Sequence, residues 1–282
     1  MPPPEGVAYT SRADFYKVLT DAINDMLEHG FDSMDRITLW VERIREAAIR
    51  SLVPHRVLET TLVSTFRGIY RQKIERGMIL RQHPGVSLFT LERVKPALRA
   101  ELDRRILASA DLIKLNREAA VRDTLQRFSG WATSIPAGGS DAVNRQEQKA
   151  EIRKPLASLP FRERRVAIDQ GHKFSNNLSE ILAVEGGALA GIWHSHWRQI
   201  NYRFRPDHKE RDERLYVVRD NWALERGLMK LGGHEYTDQI TKPGEEVYCR
   251  CFYQYLYSLR RLPADMLTEK GRAELERVKI AA

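Results

Sequence analysis

Apolar residues recur every three or four positions through the first half of the chain, which is the spacing of amphipathic helices that pack against one another. One such stripe occupies residues 15–27, and Ser11 stands where its N-cap should be. A second stripe follows Ser33, and a third, less regular one occupies residues 55–76. The pattern therefore predicts three consecutive helices, each burying one face.

Helical spacing continues beyond a loop at residues 83–85. Pro96 suits the first turn of a fourth helix, because the amide hydrogen that proline lacks has no partner there. The apolar positions of this helix extend to Phe128, and the glycine-rich run at 136–140 predicts the loop that ends the region. Another helical pattern begins at Phe161.

The apolar period shortens to two in the last third of the chain, as it does in a half-buried strand. The first such segment is 189–197, in which His194 and His196 share a face. Two more strands are predicted at 215–218 and 247–253, and the last of them carries both cysteines on one face.

These patterns predict an α+β fold: a helical N-terminal region, a small mixed α/β domain, and a helical tail that begins near Ala264. The predicted segments are a helical region at 1–135, a basic linker at 136–160, the mixed domain at 161–256 and the tail at 257–282.

Charge changes the picture, because the chain is strongly basic. Its 282 residues carry a formal net charge of +8, and the pI is near 9.5. Such a balance suits contact with a polyanion without identifying one. Basic residues are dense at 145–165, which yields the phosphate-contact candidates Arg153, Lys154, Arg164 and Arg165. A flexible, soluble linker is the alternative interpretation of this segment.

The two cysteines are separated by one position and cannot form a disulfide framework, so folding in a reducing cytoplasm is expected. The first residues have neither the basic nor the apolar stretch of a secretory signal. No apolar run approaches the roughly 18 residues of a transmembrane helix. We therefore expect no membrane partner.

Histidine and cysteine side chains make zinc the metal to consider, since imidazole and thiolate are its usual ligands. The candidate residue types cluster late in the chain, and the metal candidates are His208, Cys249 and Cys251, with His194 and His196 as further histidines. In an extended strand, however, the two cysteine side chains would be roughly 7 Å apart. The default expectation is therefore no bound metal, with reduced cysteines and hydrogen-bonded histidines, and zinc remains the alternative.

Catalytic arrangements are weakly indicated. Asp207, His208 and Asp212 are the nearest approach to a metal-dependent nuclease site, and a Cys-His nucleophile pair is formally available at Cys249 or Cys251. The phosphate-binding glycine loops of nucleotide and dinucleotide enzymes are missing from the sequence. We predict no catalytic residues.

The order of four short motifs resembles the Mu F-like phage head morphogenesis family of minor capsid proteins. Trp193 is followed by Arg203-Phe204-Arg205-Pro206-Asp207-His208, then by Leu215-Tyr216, and finally by Val247-Tyr248-Cys249-Arg250-Cys251. In that family a tryptophan strand precedes an Arg-x-x-His turn, and a late Cys-Arg-Cys closes the domain. The upstream helix is similar in the residues Arg165, Ala167, Gln170 and Asn177.

The resemblance covers about residues 160–256 and has two departures. The family usually has a glycine soon after the histidine, where this chain has Asp212-Glu213, and its proline-rich insertion is here residues 221–242. These departures are compatible with the family's fold. They argue against a metal site or active site shared with the family.

The resemblance implies a non-enzymatic minor head protein, made in the host cytoplasm and located in the virion at the inner head or portal vertex. It would act in head assembly, DNA packaging or genome delivery. Its implied partners are the portal protein, the major capsid or scaffolding protein, and double-stranded DNA bound without sequence preference. The implied structural motif is Trp193, Arg205, His208, Cys249 and Cys251, with Arg205 and His208 pinning a turn and Trp193 filling the core beneath it.

Two other functions are compatible with the sequence. One is a metal-dependent nuclease or toxin-like enzyme, since the family is fused to such activities. The other is a DNA-binding module with sequence preference, whose binding should fall steeply with salt.

Overall fold

The helices begin and end where the sequence supplies caps. The structure is a computed structural model and describes residues 12–280, so the predicted Ser11 cap lies outside the described residues. The helices are α1 (Arg12–His29), α2 (Met34–Ser51), α3 (His55–Tyr70), α4 (Leu88–Ala132), α5 (Arg145–Ala157), α6 (Leu159–Glu185), α7 (Pro206–Glu210), α8 (Trp222–Glu225) and α9 (Glu269–Ile280). Ser33 caps α2 by accepting the amide hydrogen of Arg36, and Asn144 caps α5 in the same way. Within 12–280, no helix is both long enough and apolar enough to cross a membrane.

Three strands form one small antiparallel sheet. They are β1 (Ala190–His194), β2 (Leu215–Val217) and β3 (Phe252–Leu256), in the spatial order β2-β1-β3. Gly191 of the central strand pairs with Tyr216 on one side and Tyr255 on the other, and Trp193 pairs with Tyr253. The predicted α+β class is confirmed, with helices in the majority.

Contacts divide the chain into two compact units. Of the described residues, those up to 62 and those at 108–166 form unit 1, and those at 63–107 and from 167 onward form unit 2. Helices α3, α4 and α6 contribute residues to both units. The units therefore alternate along the chain, whereas the four segments predicted from the sequence are consecutive.

Unit 1 is held by an apolar core of interlocking helices. Leu19 and Met26 of α1, Ile44 of α2 and Phe128 of α4 are completely buried in it, together with Ile152 of α5. Burial of a large apolar side chain contributes about 1.5–3 kcal/mol, so a few such residues suffice to fix the packing. The apolar stripes seen in the sequence are the surfaces that meet here.

Unit 2 contains a buried polar network in addition to its apolar core. The guanidinium of Arg105 donates to Glu101 Oε1 at 3.1 Å and to Gln170 Oε1 at 2.8 Å, and Asn177 Nδ2 donates to the same Glu101 oxygen at 2.9 Å. Because the Arg105 charge and the Glu101 carboxylate are both largely removed from water, each needs these partners. Gln170 and Asn177, two residues of the family-like helix, thereby join α6 to α4.

Several predicted boundaries are wrong. Helix α4 begins at Leu88, because Ser87 Oγ accepts the amide hydrogen of Thr90 and starts the helix earlier, so Pro96 lies inside it rather than in its first turn. The tail helix begins at Glu269, after a short 3₁₀ turn at Ala264–Met266. The segment predicted as a basic linker contains the capped helix α5.

The predicted strand at 247–253 is also wrong over most of its length, because β3 begins only at Phe252. Tyr248 has a φ of 62°, in the left-handed region that no strand residue adopts. Its amide hydrogen is donated to Asp169 Oδ1 at 2.6 Å instead of to a neighbouring strand. Both cysteines therefore lie in or beside a tight loop, and that loop creates the site described next.

Candidate functional site

His208 is presented by a short helix whose start is built into the sequence. Pro206 occupies the first turn of α7, where its missing amide hydrogen costs nothing, and Arg205 before it is extended. This turn directs the imidazole inward, and His208 is only 1% exposed. A histidine so deeply buried requires partners for both ring nitrogens.

The 244–251 loop brings both thiols to one side of that imidazole. The amide of Cys249 donates to Glu246 O at 3.1 Å, which closes the turn, and the left-handed Tyr248 reverses the chain. His208 Nδ1 lies 3.6 Å from Cys249 Sγ and 3.5 Å from Cys251 Sγ. The separation of about 7 Å expected for an extended strand is thus wrong, because the segment is not extended.

We call His208, Cys249 and Cys251, with the enclosing Trp193 and Glu246, the thiol corner. The two sulfur atoms and one imidazole nitrogen lie within 4.8 Å of one another, and the three residues are buried. Within residues 12–280 this is the one group of histidine, cysteine and acidic side chains close enough to share a metal ion.

The loop is braced from α6 and by a close glycine contact. Asn176 Nδ2 donates to the carbonyl oxygen of Cys251 at 3.0 Å. A Cβ at Gly244 would lie 2.6 Å from that same amide nitrogen, and Gly244 has a φ of 88°, so both space and conformation favour glycine. The Gly244 amide points at Cys249 Sγ, 3.3 Å away, and so offers a donor to a thiolate.

The electrostatics of the corner favour a negative charge on sulfur. The hydrogen bond from Cys251 is the main cause that lowers the pKa of Cys249 well below its ordinary value, with His208 and the Gly244 amide acting in the same direction against burial. Sharing that hydrogen bond with Cys249 raises the pKa of Cys251. Burial opposes protonation of His208, but the Cys249 thiolate and the carboxylates of Asp207 and Glu246 outweigh it and raise its pKa. These contacts favour the thiolate form of Cys249.

Glu246 lies beside the other nitrogen of the imidazole, Nε2. Its Oε2 lies 2.5 Å from His208 Nε2, although the two atoms are not aligned as a good hydrogen bond. Arg205 Nε is 3.2 Å from the same carboxylate oxygen, and Arg205 Nη2 donates to Val247 O at 2.9 Å. Glu246 is thus held between a histidine and an arginine, and Arg205 ties α7 to the cysteine loop.

Trp193 forms the wall beneath the imidazole. It is completely buried, and its ring meets that of His208 edge to face at a centroid distance of 5.2 Å. Tyr216 and Tyr253 contact the same indole, and the Arg211 guanidinium lies 5.2 Å from its centroid. The five motif residues predicted from the sequence therefore lie together.

Other predicted residues lie elsewhere or have other partners. His194 pairs with Gln254 at 3.0 Å and stacks on Phe252, and His196 also contacts Phe252. Asp212 accepts the Ser195 amide hydrogen and the Trp197 indole hydrogen, each at 2.7 Å, and these bonds overcome burial and lower its pKa. Asp212 therefore braces a turn, and the proposed Asp207, His208 and Asp212 nuclease arrangement has no common centre.

The four phosphate-contact candidates belong to unit 1, on α5 and α6. Arg153 lies over the Tyr16 ring at 5.0 Å, and Lys154 Nζ is 3.4 Å from Glu151 Oε1. Arg164 and Arg165 are exposed. Their contact with phosphate stays a prediction.

A basic cavity in unit 2 was not anticipated from the sequence. Its volume is about 430 Å³, and its lining includes Lys73, Arg81, Arg250, Arg261 and His172 but no Asp or Glu. A cavity of this kind suits an anion. The four cations are spread along the chain, so no local charge run marks them. Glu246 was likewise missed, although an acid three residues before Cys249 is visible in the sequence.

The three side chains at the centre of the thiol corner are closed to solvent. Cys249, Cys251 and His208 are each only 1% exposed. A nucleophile or general base must be within reach of its substrate, and a lowered thiol pKa without access does not make a catalyst.

No protein-family model matches this chain, and no significantly similar protein was found among the curated proteins or the solved structures. The resemblance to the Mu F-like family therefore rests on the motif residues themselves.

Proposed function

We propose that the chain is a non-enzymatic minor head protein of a bacteriophage, located at the inner head or portal vertex. The observation that carries the proposal is the thiol corner. Residues separated by more than 50 positions, from Trp193 to Cys251, meet in one buried cluster. The family's motif order implies this convergence, whereas an accidental match of short motifs has no reason to converge in space.

The burial of the corner supports a structural rather than a catalytic role. Its histidine and thiols are sealed from solvent, and the aspartates nearest to it are held by Arg211 and by the 195–197 turn. In this proposal the corner fixes α7 against the cysteine loop and keeps unit 2 rigid, while its partners contact other surfaces. Those partners are the portal protein and the major capsid or scaffolding protein.

Charge supports a place next to packaged DNA. A net charge of +8 and a cavity whose charged lining residues are all basic suit non-specific contact with phosphates. The exposed Arg164 and Arg165 add basic surface on unit 1. Such binding contacts the phosphate backbone and does not depend on the base sequence.

The experiment is to locate the chain in a particle. Virions purified from the source strain by density gradient would be digested and quantified by mass spectrometry against the major capsid protein. We expect the chain in few copies per particle, resistant to external protease until the capsid is opened. Its absence from purified, DNA-filled particles would overturn the proposal.

Two assays separate the rival functions. Plasmid cleavage that requires a divalent metal and disappears in His208→Gln would support the nuclease instead. Duplex binding that favours one sequence over others would support the DNA-binding module. We expect neither, and we expect binding that weakens with salt equally for all sequences.

A fourfold variant and a twofold control variant test the interaction with DNA. Replacing Arg153, Lys154, Arg164 and Arg165 with glutamine should reduce the slope of log affinity against log salt by about 0.9 for each phosphate that these side chains neutralise in the wild type. The control is Arg45→Gln with Arg50→Gln, since both arginines pair with carboxylates on α2. An unchanged slope in the fourfold variant would exclude those residues from the interface.

A further inference from the structure

We infer that the thiol corner is a zinc site, with His208 Nδ1, Cys249 Sγ and Cys251 Sγ as three ligands of one Zn²⁺ ion. The inference goes beyond the proposed function, because a zinc site of this kind does not depend on the chain being a virion protein. It rests on ligand spacing, on the second nitrogen of the histidine, and on polar atoms that are buried without partners.

The spacing of the three atoms is that of a tetrahedral zinc site. Zinc bonds of about 2.3 Å to sulfur and about 2.0–2.1 Å to nitrogen, at tetrahedral angles, place nitrogen and sulfur about 3.6 Å apart. His208 Nδ1 lies 3.6 Å and 3.5 Å from the two sulfur atoms. The imidazole nitrogen thus lies at the distance of a shared zinc ion from both sulfur atoms, and all three atoms lie within 4.8 Å of one another.

The far side of the imidazole is arranged as it is in zinc proteins. A metal-bound histidine usually gives its other ring hydrogen to a carboxylate, which fixes the tautomer and the ring orientation. Glu246 Oε2 lies 2.5 Å from His208 Nε2. With the hydrogen on Nε2, the lone pair of Nδ1 faces the two sulfur atoms and is available to a cation.

Charge balance also fits a divalent ion. Two thiolates and a neutral imidazole neutralise Zn²⁺, and the remaining Glu246 carboxylate is paired with Arg205 at 3.2 Å. The Gly244 amide, 3.3 Å from Cys249 Sγ, stabilises the thiolate form. Buried charges persist when they are paired in this way or coordinate a metal.

Unpaired polar atoms mark the corner as incomplete without a further group. Among residues 12–280, five buried side-chain atoms lack a hydrogen bond of good geometry. Two of them, His208 Nε2 and Glu246 Oε2, face each other at 2.5 Å. The other three are Trp193 Nε1, Ser195 Oγ and Tyr253 Oη. Such a concentration calls for an ion or water.

Thiolate ligands select zinc over magnesium and calcium, which prefer oxygen. Three protein ligands leave the fourth position of a zinc ion to another group. His208, Cys249 and Cys251 are each only 1% exposed, so that position is closed to bulk solvent. Zinc here would lock the cysteine loop to α7 and thus close unit 2.

The experiment measures the metal content of the full chain, purified without chelators or affinity metals. We expect close to one zinc per chain by inductively coupled plasma mass spectrometry. Cys249→Ser, Cys251→Ser and His208→Gln should each lose most of it. His194→Gln is the matched control and should retain it, because His194 bonds to Gln254 outside the corner.

If these variants fail to fold, measurements on the wild-type chain still test the inference. Slow removal of zinc with a chelator should release both thiols to a thiol reagent, and Co²⁺ added afterwards should give thiolate-to-cobalt charge-transfer absorption. A folded, zinc-free chain that shows no such absorption would overturn the inference. So would a chain whose intact mass is two hydrogens lower because Cys249 and Cys251 have formed a disulfide.

Discussion

The apolar core of unit 1 and the thiol corner of unit 2 are both fully buried, but different forces hold them. In unit 1 the buried surfaces are side chains such as Leu19 and Phe128, which need only one another. In the corner, an imidazole nitrogen and two sulfur atoms lie within 4.8 Å of one another, and several nitrogen and oxygen atoms around them lack a hydrogen bond of good geometry. An apolar core is stabilised by close packing. A buried polar cluster is stable only when each polar atom has a hydrogen-bond partner or a metal ion. This difference is why we place the proposed zinc ion in the corner.

The largest expected effect comes from removing the wall of the corner. Trp193→Ala should destabilise the chain by about 3–5 kcal/mol, because a large ring leaves a cavity where no solvent enters. Phe128→Ala in unit 1, where the ring is also completely buried, should cost a similar amount. Urea unfolding followed by fluorescence or circular dichroism measures both.

The two variants should nevertheless differ in one readout. Trp193→Ala should expose Cys249 and Cys251 to a thiol reagent under native conditions, whereas Phe128→Ala should leave them protected. Equal thiol protection in both variants would contradict the view that Trp193 seals the corner.

A smaller effect is expected from pH acting on His83 of unit 2. Burial, with a contribution from Lys73, lowers its pKa from 6.5 to about 4. Because the unfolded chain binds the proton first, stability is fully present above pH 6.5 and is lost as pH falls towards 4. The shift corresponds to roughly 3 kcal/mol.

His83→Gln should therefore flatten the dependence of the urea midpoint on pH between 7 and about 4, by the amount that the shift implies. His29→Gln, at a half-exposed histidine of unit 1, is the control and should follow the wild type. If both variants keep the full wild-type dependence, His83 is not the titrating group.

Glu246 should matter less than the ligands themselves. Glu246→Gln keeps the shape of the side chain but removes the charge opposite His208, so zinc affinity should fall about 10–100-fold, as for other partners of metal-bound histidines. Competition with a zinc indicator measures the change. The exposed Glu235→Gln serves as the control. An unchanged affinity would mean that Glu246 does not orient the imidazole.

The smallest expected changes in stability come from removing one helix cap in each unit. Asn221 accepts two amide hydrogens and donates to Leu189 O and Val218 O, so Asn221→Ala should cost about 2 kcal/mol. Ser33 accepts one long bond, 3.5 Å from Arg36 N, so Ser33→Ala should cost about 0.5 kcal/mol. Thermal unfolding of the two variants measures the difference, and equal losses would contradict it.

Helices were predictable from this sequence because their information is local. The apolar stripe and the Ser33 cap predicted α2 almost to the residue. The start of α4 was missed because a proline is also tolerated inside a helix whose other bonds and packing compensate. The local pattern thus predicted that helix α4 exists but placed its start too late in the chain.

The candidate site was only partly predictable, since its geometry is set by distant contacts. The motif order indicated which side chains belong together. The turn at Tyr248 depends on Asp169, 79 positions earlier, which no local pattern reveals. An extended interpretation of 247–251 separates the two thiols and therefore argues against a shared metal. The basic cavity was missed because its cations come from several elements.

The most direct test of the account is X-ray absorption at the zinc edge of the purified chain, which reports the atoms around the metal and their distances. We predict two sulfur atoms at about 2.3 Å and one imidazole nitrogen at about 2.0–2.1 Å, with a single light atom completing the shell. A shell of oxygen and nitrogen atoms without sulfur, or a folded chain without zinc to measure, would contradict the claim that a metal closes the thiol corner.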